Sequence, residues 1–194
     1  MMHADLSQLA RPRRGHFDLG TGFHGDLWLD LDALFLWPAR LRPAAGQLAA
    51  HLRQYRPAAV CGPLSGGAFL AQMVAEILGA AFLPAYAGSG HPARYRLPGA
   101  VRGQIAGWRV AVVDDAVNAG TAVRASCEEL RAAGAEPVAV AALLALGQAG
   151  TVITGALGLP FHAVAALPGQ VWPADACPLC EDGTPADRPV PAGG

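Results

Sequence analysis

From Pro57 onward the chain alternates short apolar runs with stretches that are apolar at helical spacing. Residues 58–62 form a first run, ending in Pro63-Leu64-Ser65-Gly66-Gly67. The next twelve, AFLAQMVAEILG, carry a helical stripe that Gly79 closes. Residues 80–86 read as a second strand, and the Gly-, Pro- and Arg-rich stretch 87–107 as a long mobile loop. The strongest strand signal is 108–117, where Val110, Ala111, Val112 and Val113 run without interruption into Asp114 and Asp115. A helix over 121–134 follows, with Glu128 and Glu129 beside Arg124 and Arg131 on its exposed side and Gly134 as its stop. Residues 136–146 form another buried strand, and a small-residue helix comes after it. Unbroken apolar strands separated by helices of this length mean βαβ units and a parallel sheet of about five strands, covered on both faces. The fold class is therefore α/β. The first 55 residues differ: two short strands around a Gly-rich turn within 16–32, then an amphipathic helix over 38–55. The last 25 residues are Pro-rich and read as irregular, and no internal repeat occurs.

With 194 residues the chain suits one domain, or one domain with a short tail. It is 53% hydrophobic, which excludes disorder for most of its length. Its 14 basic residues are all Arg, set against 15 acidic ones for a net charge of −1, so it offers no broad basic face for nucleic acid. Without Lys, any positive charge at a site must be guanidinium. Residues 137–174 contain no charged side chain, but the strongly apolar part, 138–146, has only strand length. A membrane-spanning helix needs about 20 apolar residues, so the expectation is a soluble protein. The opening residues lack the apolar core of a secretory signal, which makes a reducing cytoplasm the expected setting. Cys61 and Cys127 lie in apolar or helical stretches, where free buried thiols usually sit.

Gly20-Thr21-Gly22-Phe23-His24-Gly25 matches the G-x-G-x-x-G dinucleotide pattern, which requires a helix after the last Gly and an acid about 20 residues on. Here a strand-like DLWLDLD follows, and no Asp or Glu occurs between Asp32 and Glu76. The match is a turn. More informative is the segment from Val112 to Ala122. A buried strand delivers Asp114 and Asp115 to its carboxyl end, where open parallel sheets bind ligands. Small residues and a helix N-terminus follow, bringing backbone N–H groups around an anion. Carboxylates suit ribose hydroxyls and the loop suits a phosphate, so the segment reads as a sugar-phosphate site in preference to a merely solvated strand end.

That segment resembles the phosphoribosyl diphosphate signature of the type I phosphoribosyltransferases, and AGTAVRAS is most similar to the bacterial orotate phosphoribosyltransferases. The resemblance runs to about residue 168. It includes Thr21-Gly22, Gly25, Trp28 and Asp30 near the N-terminus, the Cys61–Gly67 turn, and Tyr95-Arg96. It implies a parallel sheet with a small N-terminal hood (about 1–35), a mobile loop (about 87–107), a catalytic domain over 1–168 and a separate tail over 169–194. It also implies transfer of a phosphoribosyl group from phosphoribosyl diphosphate to a nitrogen base, releasing pyrophosphate. The base would be orotate, in pyrimidine nucleotide synthesis. The alternatives are another base, or a binding protein that senses phosphoribosyl diphosphate or a nucleotide.

Under that resemblance Asp114 and Asp115 hold the ribose. Asn118, Ala119, Gly120, Thr121 and Ala122 hold the 5′-phosphate, and Leu64, Ser65, Gly66 and Gly67 receive pyrophosphate. Arg96 and Arg102 close over the leaving group, and Gln148 stands at the base pocket. Magnesium arrives on the substrate and needs no protein cage, and a homodimer is implied. The chain departs from the family in three places. Its loop has no Lys, Asn118 replaces a Thr, and Gly147-Gln148 stands where orotate enzymes place Asp-Arg. Cys177-Pro178-Leu179-Cys180 has the spacing of half a zinc site. No second Cys pair or nearby His follows it, so it reads as a surface turn with free thiols. The six His fall singly; His24 and His91 lie on segments assigned to the site.

Overall fold

Alternating side chains near the N-terminus make a hairpin in which β1 (Arg13–Asp18) pairs antiparallel with β2 (Phe23–Trp28). Two helices follow, α1 (Asp32–Phe35) and α2 (Pro38–Leu52). The chain then enters the sheet through β3 (Ala59–Pro63), α3 (Gly66–Leu78) and β4 (Ala81–Ala87). A two-residue strand, β5 (Tyr95–Arg96), and a single helical turn, α4 (Gly99–Arg102), lead into β6 (Arg109–Val117), α5 (Thr121–Ala132) and β7 (Glu136–Leu146). The remaining elements are α6 (Ala149–Leu157), β8 (Phe161–Leu167), β9 (Val171–Pro173) and α7 (Pro178–Glu181). This computed structural model describes residues 10–19, 22–88 and 94–188. Gly20, Thr21 and His91, singled out in the sequence, lie outside the described residues.

The main sheet has the order β5-β4-β3-β6-β7-β8. Five of its strands are parallel, as expected, and β5 runs antiparallel to β4 at one edge. The unbroken apolar runs are explained by cover on both faces. Ala111 and Val113 of β6 point into a layer with Leu41, Leu48, Leu52, Leu70 and Val74, brought by α2 and α3. Their neighbours Val110 and Val112 point the other way, to Cys127 and Leu130 of α5 and Ile153 of α6. Every residue of β7 after Glu136 is buried. Truncating a fully buried leucine such as Leu143 in so closed a layer costs about 2–5 kcal/mol. Cys61 and Cys127 are free and buried, and burial pushes the Cys127 thiol up to about 12. Among the described residues no helix is long and apolar enough to cross a membrane.

Three expectations change. The tail is not irregular: β9 adds a third strand to the hairpin in the order β1-β2-β9, because β2 has a free edge and Val171–Pro173 is extended. Glu129 does not face solvent. Helical spacing places it on the buried side of α5, at 5% exposure. The 87–107 segment is partly tied down, since β5 pairs with β4 and Leu97 is buried.

Candidate active site

The carboxyl ends of β3 and β6 lie side by side, and their loops build the site together. Asp114 is 7% exposed and Asp115 half-buried. The Asp115 N–H donates to Asp114 Oδ1 at 3.0 Å, and the Ala116 N–H to Asp115 Oδ1 at 2.7 Å. Burial pushes both carboxyls above the usual carboxylate range. For Asp114 the neighbouring Asp115 charge adds to that rise.

The turn after β3 presses on this pair. A Cβ on Gly66 would stand 1.9 Å from Asp115 Oδ2, and one on Gly67 2.4 Å from Asp114 Oδ1. Only glycines let the first turn of α3 approach the carboxylates this closely. The Leu64–Ser65 peptide is cis, and Leu64 N donates to the Ala85 carbonyl at 2.9 Å. The expected pyrophosphate turn and the aspartate pair are thus brought together.

The loop after β6 makes the second wall. Gly120 has φ +72°, and a Cβ there would lie 2.8 Å from Ile153 Cδ1. Gly120 caps α5, whose first-turn N–H groups have no partner within the helix. Asn118 Oδ1 and Thr121 Oγ1 are buried with no hydrogen-bond partner among the described residues. The Thr121 hydroxyl and the first-turn N–H groups of α5 are donors that suit an anion at this helix N-terminus. Asp114 and residues 116–122 line a cavity of about 250 Å³ with Leu27, Trp28 and Leu31 of the hood side.

A larger cavity of about 550 Å³ adjoins the same loop, sharing Asn118 and Ala119. Gln148 lines it, at the N-cap of α6, together with Arg124, Phe23, Gln170 and Trp172. Sequence reasoning placed Arg124 on a merely solvated helix face and left Gln170 and Trp172 in an irregular tail. No local signal marks the last two, because they reach the cavity only through the β2–β9 pairing.

The two loop arginines are engaged differently from expectation. Arg96 Nη1 donates to Glu129 Oε2 at 3.1 Å, and Arg102 Nε to Glu129 Oε1 at 3.0 Å. The Leu97 N–H also donates to Glu129 Oε1, at 3.3 Å. A buried carboxylate on α5 has gathered the cations that the sequence reading assigned to the leaving group. Arg96 with Thr121, Arg124 and Glu128 lines a third cavity along α5, of about 530 Å³.

A model of the phosphoribosyl transferase domain matches residues 30–153, which include the turn after β3, the loop after β6 and the aspartate pair. The chain belongs to the phosphoribosyltransferase family. It is 33% identical over 189 residues to the orotate phosphoribosyltransferase of Thermotoga petrophila, covering 97% of each chain. Among solved structures it resembles the orotate phosphoribosyltransferase from Aeropyrum pernix. That similarity has TM-score 0.67 and 27% identity, covering 86% of this chain and 94% of that one. An adenine phosphoribosyltransferase from Thermoanaerobacter pseudethanolicus shares the fold at TM-score 0.66 and 18% identity, over 84% of this chain and 99% of that one. The phosphoribosyltransferase fold thus carries pyrimidine and purine enzymes alike, and the base must be argued from the cavity.

Proposed function

We propose that this phosphoribosyltransferase transfers the phosphoribosyl group of phosphoribosyl diphosphate to orotate, releasing pyrophosphate. The observation that carries the reading is the paired carboxylates, pressed by the glycine turn after β3 and sharing a cavity with the loop that opens α5. Asp114 and Asp115 accept hydrogen bonds from the two ribose hydroxyls, and their charge favours the cationic sugar ring that forms as the C1–O bond breaks. The cradle from Asn118 to Ala122 holds the 5′-phosphate, with the Thr121 hydroxyl and the Asn118 amide as donors. Backbone N–H groups of Ser65, Gly66 and Gly67 receive the departing pyrophosphate, that of Leu64 being held by the Ala85 carbonyl. These preorganised donors stabilise charge that develops during the step, so they act on rate more than on affinity.

The chemistry of the Asp114–Asp115 pair fits a magnesium ion that arrives on the diphosphate and keeps its waters. When bound, that ion neutralises charge on the leaving group.

The base enters the cavity that Gln148 lines. Arg124 offers a guanidinium on the same wall, which can face a base carboxylate where orotate enzymes use the Arg that is Gln148 here. A second copy of the chain supplies Arg96 and Arg102 to this site after they leave Glu129. Exposed Leu36, Trp37 and Phe69, at 71%, 60% and 51%, support a homodimer, since so many bare large apolar groups suit an interface.

Steady-state kinetics with orotate, uracil and adenine side by side tests the reading. Turnover of orotate with a high KM is expected. Robust turnover of a base without a carboxylate and none of orotate would overturn the substrate. Binding of phosphoribosyl diphosphate with no turnover of any base would make the protein a sensor.

A further inference from the structure

In the hood, four side chains converge from β1, β2 and the tail. His16 comes from β1, His24 from β2, and Cys177 and Cys180 from the tail. One ligating atom of each lies within 4.8 Å of all the others. We propose that these four residues bind a structural zinc ion that fastens the tail to the hood.

The distances carry this directly. A tetrahedral zinc with Zn–N near 2.05 Å and Zn–S near 2.3 Å sets donor separations of about 3.3 Å for N–N and 3.6 Å for N–S. His16 Nε2 stands 2.9 Å from His24 Nδ1. The sulfur of Cys177 is 3.4 Å from His16 Nε2, and that of Cys180 is 3.8 Å from His16 Nε2 and 3.2 Å from His24 Nδ1. These four of the six edges match the polyhedron to within about half an ångström, and the two edges from Cys177 to His24 and to Cys180 are no longer than 4.8 Å. The donor set is two nitrogens and two sulfurs, the composition of tetrahedral zinc sites and not of magnesium or calcium sites.

A second observation concerns orientation. The other ring nitrogen of His16, Nδ1, lies 2.7 Å from the Thr184 carbonyl oxygen. An oxygen can only accept, so Nδ1 carries the proton and Nε2 turns a lone pair to the cluster. Zinc-binding imidazoles are characteristically held by such an outer hydrogen bond. Thr184 itself lies in the tail, four residues beyond Cys180, so the tail supplies both sulfurs and the acceptor that orients a histidine. Cys177 and His16 are buried, at 1% and 5%. A Cys2His2 set leaves no open position for substrate, so the ion is structural. The sequence reading of the Cys pair as a surface turn with free thiols saw no His nearby, because His16 and His24 precede it by more than 150 residues and are adjacent to it only in the folded chain.

The consequence reaches the base cavity. Trp172 of β9 is paired opposite His24 of β2, and Val171, Trp172 and Phe23 all line that cavity. Zinc thus fixes the strand pairing that forms one wall of the base site.

Elemental analysis of untagged, full-length protein is expected to give about one zinc per chain. In Cys177→Ser with Cys180→Ser it should fall at least tenfold. Cobalt-loaded wild-type protein should show the visible bands of a tetrahedral ion and a thiolate charge-transfer band. Should the double variant not fold, Cys180→Ser alone, at an exposed position, is expected to weaken cobalt binding and diminish the charge-transfer band. Hydrogen exchange after chelation should rise in 171–187 while the parallel sheet stays protected. Wild-type protein that carries no zinc and takes up cobalt without thiolate bands would overturn the assignment. So would zinc retained equally by both variants, or a Cys177–Cys180 disulfide in the purified protein. Orotate kinetics play no part in these readouts, so their outcome is separate from that of the proposed reaction.

Discussion

Replacing Glu129 tests what holds the Arg96–Arg102 segment at rest. Its carboxylate accepts from Arg96, Arg102 and the Leu97 N–H. The two arginine side chains are 58% and 43% exposed while that of Glu129 is 4% exposed, so solvent screens the ion pairs, and each contributes at most about 0.5–1 kcal/mol. Leu97 is buried, and its N–H left without an acceptor costs about 1–3 kcal/mol. Glu129→Ala should therefore destabilise the protein by about 2–5 kcal/mol. For a domain of this size that lowers Tm by roughly 5–20 °C. Glu129→Gln keeps a carbonyl for the Leu97 N–H and should lose only about 1–2 kcal/mol. Calorimetric melting measures the totals, and hydrogen exchange should locate the loosening in residues 95–103. A Glu129→Ala variant that melts within about 2 °C of wild type, with Leu97 exchange unchanged, would refute the argument.

Asp114→Asn with Asp115→Asn should abolish phosphoribosyl diphosphate binding by titration calorimetry while Tm at neutral pH holds or rises. The sign follows from burial: both carboxyls titrate higher in the folded state, so ionisation erodes stability as pH climbs from the unfolded value through the raised one, and Asn removes that loss. Wild-type affinity for phosphoribosyl diphosphate should in turn fall as pH is lowered into the raised range of the pair, where protonated carboxyls no longer accept from the ribose. Gly120→Val forces a branched residue into φ +72° against Ile153; it should cost at least about 1–2 kcal/mol and reduce ribose 5-phosphate binding, and unchanged affinity would remove the loop from the phosphate site. Gln148→Arg should improve kcat/KM for orotate by about tenfold, the difference between neutral and charge-assisted hydrogen bonds, with no gain for uracil.

The parallel sheet was legible because each of its central strands is apolar on both faces, a pattern that needs no knowledge of neighbours. Asp114 and Asp115 were legible for the same reason, as charges ending such a run. Glu129 was misread because one carboxylate on a helix looks solvated until Leu97 and two arginines fold over it. The tail was misread because β9 is three residues long and takes its strand character entirely from β2. His16 and His24 carry no metal spacing relative to each other; a hairpin turns them toward the same point.

The three-stranded hood sheet joins residues near one end of the sequence to residues near the other. Asp18 N donates to the Asp187 carbonyl at 2.8 Å, and Asp187 N to the His16 carbonyl at 2.8 Å. In chain order β1 and β2 precede the parallel sheet and their third strand follows it. The βαβ units between them can close as they appear. The Asp114–Asp115 pair and the loop after β6 can therefore fold before β9 adds Val171 and Trp172 to the cavity that Gln148 lines, and under the proposed reaction translation that stops before residue 171 is expected to leave a product that binds phosphoribosyl diphosphate without using it.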